Sequence, residues 1–205
     1  MRARLFGLLV LWATTATAAA PVTLHPATRV RQLFVAQAST QPLRISQAVL
    51  QMTDTVRAQM LAMLARGDIQ KAIALYPLET GRQTLPRWLQ LLELAFAAEN
   101  RRPGPCVEVA RHIFTAFQKL GGKPEFIRFT SHGSRYIAFE MRAGEPRSTV
   151  QLSDLSLHVA VRLQNRIYDA FTGPRGLPED EYLRRLVTEE GMKISSAVLN
   201  SLDEL

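Results

Sequence analysis

The hydrophobic periodicity of this chain changes at Gly121-Gly122, and that change restricts the fold more than any other feature. Before the glycine pair, apolar residues recur at steps of three and four; after it they alternate, or run in short branched and aromatic stretches. Helices first, then strands, with helical patterns again only at the C-terminal end and no regular interleaving, point to one α+β domain over residues 45–205. No internal repeat or low-complexity block divides it.

Within the helical part, 45–100, Ile45, Val49, Met52, Val56, Met60 and Met63 make one apolar stripe that Gly67 ends. Asp68 then caps a second helix, whose Ile69, Ala72, Ile73 and Tyr76 share a face and which Pro77 stops. Thr84 caps a third, with Trp88, Leu91, Leu92 and Ala95 as its core face, ending near Asn100. Two prolines and a glycine in Arg101-Arg102-Pro103-Gly104-Pro105 forbid continuation. The next helix carries Cys106, Val109, Ala110, Ile113, Phe117 and Leu120 on a single face.

Beyond the glycines, Phe126 to Thr130 and Tyr136 to Met141 read as a strand pair, and Leu155 to Leu163 as the clearest strand of the chain. Gln164-Asn165 makes a turn, from which Arg166 to Phe171 returns. Pro178 to Thr188 and Ser195 to Leu202 read as terminal helices, the second filling 191–205.

The start of the chain is read separately. Arg2 and Arg4, the apolar run from Leu5 to Trp12 and the small residues ending at Ala18-Ala19-Ala20 have the pattern of a secretory signal over 1–20, cleaved near Ala20. Residues 21–44, with Pro21, Pro26 and Pro42, suit a flexible arm. The expected mature protein is secreted or periplasmic, and no later stretch is apolar enough for stable membrane insertion. Without Arg2 and Arg4 the formal charge of +7 falls to +5, spread in singles and pairs. No binding motif or aromatic-basic stripe accompanies it, so no nucleic-acid partner is expected.

Cys106 is the only cysteine, which excludes an internal disulfide. An odd cysteine in an exported protein is a buried bystander, an intermolecular link or a reactive thiol. Its position after Pro105 favours the third: unpaired N–H groups at a helix start lower a thiol pKa and offer an oxyanion hole through the Cys106 backbone. Asn100 is a candidate side-chain donor to the same hole, although an asparagine at a helix end has a plainer reading as a terminator.

A two-residue turn at Gln164-Asn165 sets Leu163 opposite Arg166 and therefore Asp169 opposite Ala160. His158 shares a face with Ala160, so His158 and Asp169 become diagonal neighbours, able to act as base and orienting acid for Cys106. A slip of one residue would put them on opposite faces. The plainer readings are a polar strand face with Ser156 and Arg162 for His158, and a turn start before Gly173 for Asp169. His112 lies about 120° around the helix from Cys106. His132 sits in a strand connection, His25 in the arm, and Glu108 suits a first-turn acid. One cysteine with scattered histidines provides no metal-ligand spacing, and no cofactor is expected.

The segments Gly104-Pro105-Cys106-Val107-Glu108-Val109-Ala110, Leu157-His158-Val159-Ala160-Val161 and Ile167-Tyr168-Asp169-Ala170, the last followed by a glycine-rich loop, resemble the papain-fold toxin domains of bacterial polymorphic toxin systems. The resemblance covers about 100–190. It implies a papain-like α+β fold, the nucleophile-bearing helix packed on a small antiparallel sheet, with Cys106 attacking a peptide or carboxamide carbonyl, His158 moving the proton and Asp169 orienting His158. A signal-like start suits a free-standing exported enzyme better than a delivered toxin tip.

The resulting expectation is an exported thiol enzyme, a peptidase or glutamine deamidase before a transglutaminase, with a protein or peptide substrate and a cognate inhibitor protein as partners. The alternative is a non-enzymatic binding module on the same scaffold, using the helices from Ile45 to Asn100 as its surface. Reactivity of the thiol separates the two.

Overall fold

Thr53 starts the first helix by accepting the Val56 N–H at its side-chain oxygen, 3.3 Å away. The computed structural model describes residues 52–141, 148–189 and 192–205. The expected signal, the arm and the Ile45 end of the first stripe lie outside these residues. Helix α1 spans Asp54–Ala65 and buries Val56, Met60 and Leu64, while α2, Ile69–Thr80, buries Ala72, Ile73 and Tyr76 against it. Pro77 does not stop α2; the helix runs one turn further, to Gly81 in the left-handed conformation.

Helix α3, Arg87–Ala95, begins at Pro86 instead of Thr84 and buries Leu89, Leu92 and Ala95, with Trp88 and Leu91 only partly covered. The face is rotated by about one residue from the expected one, because α3 packs mainly on α4, Cys106–Lys119, while Trp88 meets Tyr76 of α2 edge-on. In α4 the expected face holds: Val109, Ala110, Ile113, Phe117 and the following Leu120 are buried, and Cys106 is half-buried at its start.

Eight strands follow among the described residues: β1 Glu125–Ser131, β2 Ile137–Glu140, β3 Thr149–Ser153, β4 Leu157–Leu163, β5 Arg166–Tyr168, β6 Leu177–Pro178, β7 Leu186–Val187 and β8 Ile194–Leu199. They form two sheets, a five-stranded one in the order β6-β5-β4-β1-β8 and a three-stranded one in the order β3-β2-β7, with every described pairing antiparallel. The class is α+β, as the change of periodicity at Gly121-Gly122 suggests.

Three expectations are corrected. Neighbouring strands β1 and β2 do not pair; β1 lies between β4 and β8, and β2 between β3 and β7. The stretch from Ser195 to Leu202 is not a helix, because its residues pair with β1 from Phe126↔Leu199 to Ser131↔Ile194. Within Pro178 to Thr188 only Glu179–Arg185 is helical, as α5, and the chain then extends into β7.

The two faces of the large sheet have different covers. Phe114 of α4 stacks on Phe126 at 4.1 Å and Phe117 meets Tyr168 edge-on at 4.8 Å, so α4 covers the face that bears Phe126, Val161 and Tyr168. Strand alternation puts Phe129, His158 and Ala160 on the other face. There Tyr182 of α5 packs between Phe129 of β1 and Phe139 of β2, its ring centroid 5.2 and 5.1 Å from theirs. Arg162 fastens the start of α5 to that face, with Nε 2.8 Å from Glu125 and Nη1 3.1 Å from Glu179. His158 is therefore 1% exposed instead of facing solvent.

Candidate active site

Register is what brings the acid to the histidine. Gln164 and Asn165 both have positive φ, 50° and 61°, the requirement of a tight type I′ hairpin whose twist matches the flanking strands. The pairs Leu163↔Arg166, Arg162↔Ile167 and Val161↔Tyr168 follow, as expected from the two-residue turn. Asp169, next after β5, then lies diagonal to His158, whose Nε2 is 3.1 Å from its Oδ2.

Asp169 opens a turn of its own. Its Oδ1 accepts the N–H groups of Phe171 and Thr172 at 2.9 and 2.8 Å, and its Oδ2 accepts the Tyr182 hydroxyl at 2.7 Å. With His158 included, all the acceptor capacity of a carboxylate is filled. At 2% exposure that matters, because an ion in the interior survives only with such compensation. Burial raises its pKa, yet the His158 bond and charge, the Thr172 N–H and the Tyr182 hydroxyl hold it below the ordinary 3.8.

Cys106 completes the set from the other side of the sheet. Strand β5 covers β4 only from Val161 to Leu163, so Val159 and His158 lie past the end of that partner, where the first turn of α4 reaches them. The Nδ1 of His158 is buried and no oxygen or nitrogen among the described residues bonds it, while the Cys106 thiol lies close enough for each group to shift the other's proton affinity. Burial opposes charge on both. Against it, the Asp169 and Cys106 bonds and charges lift His158 from 6.5 to about 9. For Cys106, the His158 bond and charge and the N–H groups of Val159 and Val107 take the thiol below its ordinary 9.0. Opposite shifts on adjacent groups favour a proton on nitrogen relative to one on sulfur.

Of the residues singled out by sequence, Cys106, His158 and Asp169 are brought together. Asn100 is not: its Nδ2 donates to the Leu94 carbonyl at 2.7 Å, closing the end of α3, so it takes no part in this network. His112 turns to Glu108, 3.9 Å away on its own helix, and His132 Nε2 lies 2.8 Å from the Ser195 hydroxyl. No group of three or more His, Cys, Asp or Glu among the described residues is placed to hold a metal ion.

Sequence reasoning missed three contributors. Tyr182 is the one aromatic in the charged helix Glu-Asp-Glu-Tyr-Leu-Arg-Arg, and that isolation was the available signal. Thr172 takes the Asp169 N–H at 2.9 Å, and Arg101 Nε donates to the Ala170 carbonyl at 3.1 Å, joining the loop before the nucleophile to the turn that carries the acid. No protein-family model matches the chain, and no curated protein or solved structure matches it.

Proposed function

We propose that the protein is an exported cysteine hydrolase of papain-like type, a peptidase or glutamine deamidase that works through an acyl-enzyme. The observation that carries this reading is the directional chain of Asp169 bonded to His158 Nε2, leaving Nδ1 for a thiol at a helix start. A structural cysteine has no need of a buried imidazole tied to a four-coordinated carboxylate.

The chemistry follows from where the protons are. The Cys106 thiolate attacks the carbonyl carbon of a peptide or a glutamine carboxamide, and the oxygen takes up charge beside the N–H of Cys106 and the first turn of α4. As the C–N bond breaks, the His158 imidazolium gives its proton to the departing amine or ammonia, leaving a thioester. Neutral His158 then takes a proton from water, whose oxygen attacks the thioester. The acid leaves, and the proton on nitrogen again faces a thiolate.

Incubation with a haloacetamide, followed by intact-mass measurement, tests the nucleophile. One adduct is expected on the wild type near neutral pH and none on Cys106→Ala, with His158→Ala at least tenfold slower than the wild type. A folded wild-type protein whose thiol stays unmodified would replace this reading with that of a binding module.

A further inference from the structure

We propose that Tyr182 is a positioning residue for the Cys106 site, its hydroxyl holding the Asp169 carboxylate in the orientation that directs Nδ1 of His158 at the thiol. The inference rests on the reading of Cys106 as a nucleophile. Asp169 Oδ1 is fixed by the Phe171 and Thr172 N–H groups, both within its own turn. Those two bonds set one oxygen and leave the other to be placed by what surrounds it. Oδ2 is the oxygen that meets His158, and Tyr182 is the second donor on it.

The hydroxyl is itself placed by something more rigid than a loop. Tyr182 is fully buried, its ring held by Phe129 from the large sheet and Phe139 from the small one. The junction of the two sheets thus sets the oxygen position, and the turn at Asp169 is adjusted to it. Phe129 is also the direct cross-strand partner of His158, so the same ring neighbours both the imidazole and the residue that aims its acid. This gives α5 and the small sheet a role at the site.

A tyrosine that merely fills the core, with an acceptor found for its hydroxyl, would leave thiol chemistry unaltered when only that hydroxyl is removed. Tyr182→Phe makes that distinction, since it keeps the ring between its two aromatic neighbours. Loss of a hydrogen bond to a buried charge is expected to slow haloacetamide modification of Cys106 at pH 7 by about tenfold and to move the midpoint of its pH profile up toward the ordinary thiol value. An unchanged rate and midpoint in a folded Tyr182→Phe, beside an activated wild-type thiol, would overturn the positioning role alone. A wild-type thiol with an ordinary profile, indifferent to His158→Ala, would overturn the nucleophile reading and this inference with it. Should Tyr182→Phe fail to fold, proton NMR of the folded wild type decides. The Tyr182 hydroxyl is expected as a slowly exchanging downfield resonance that shifts upfield in Asp169→Asn, and its absence would overturn the proposal.

Discussion

His158 is subject to two opposing influences, and their balance gives a measurable signature. Burial favours the neutral ring, whereas Asp169 on one nitrogen and Cys106 facing the other favour the charged one and carry it to about 9. A folded value above the ordinary 6.5 means that its contribution to stability is present below about pH 6.5 and is lost as pH rises through about 9. Cys106 runs the other way, its contribution present above 9.0 and lost as pH falls through its depressed folded value. Within the window from 6.5 to 9 the two slopes oppose each other wherever the pH lies above the folded value of Cys106. Wild-type denaturation midpoints are therefore expected to fall less steeply with pH in that window than those of a variant without the sulfur. Cys106→Ala, which leaves His158 with Asp169 alone, is expected to lose stability as pH rises through it. A wild-type slope as steep as the variant's would mean that the sulfur carries its proton in the native state.

At the scale of elements, the site depends on two turns. The Gln164-Asn165 turn was legible because its consequences are local: a two-residue loop fixes register, and register fixes that Asp169 and His158 share a face. The turn that Asp169 starts before Gly173 was read only as an alternative to its role as the acid, whereas the structure has Asp169 both open that turn and meet His158. Gly176, at φ 60°, lies where a Cβ would be 2.7 Å from the Tyr168 ring and 2.9 Å from the Ile167 carbonyl. Gly176→Ala is thus expected to cost about 2 kcal/mol in chemical denaturation, from overpacking and a left-handed backbone together. Arg101→Ala, which removes the bond to the Ala170 carbonyl, is expected to slow Cys106 modification severalfold while moving the denaturation midpoint little. Strand β8 was misread because Ser195, Ser196, Ala197 and Val198 are largely exposed and show neither alternation nor an amphipathic stripe; only the distant β1 ladder makes them a strand. The pairing of β1 with β2 failed for the same reason, since a sequence shows which strands are adjacent in the chain and not which distant partner wins.

Seen whole, the described part of the molecule supports the site from both faces of one sheet. Helix α4 delivers the sulfur around the end of β5, while α5 and the small sheet close over the imidazole and carboxylate. Cys106 and its relation to the helix start could be read directly from the proline-glycine break before it, and the sheet arithmetic supplied the other two residues. The burial of His158 could not, because it is enclosed with Phe129 beside it and with an Asp169 carboxylate that Tyr182 also bonds, residues dispersed along the chain. The most direct test of the proposed thiolate–imidazolium pair is the pH titration of thiolate absorbance near 240 nm, taken as the difference between wild type and Cys106→Ala. A midpoint below 9.0 that rises toward it in His158→Ala is the expected result. A midpoint at or above 9.0, unmoved by removing the imidazole, would contradict it.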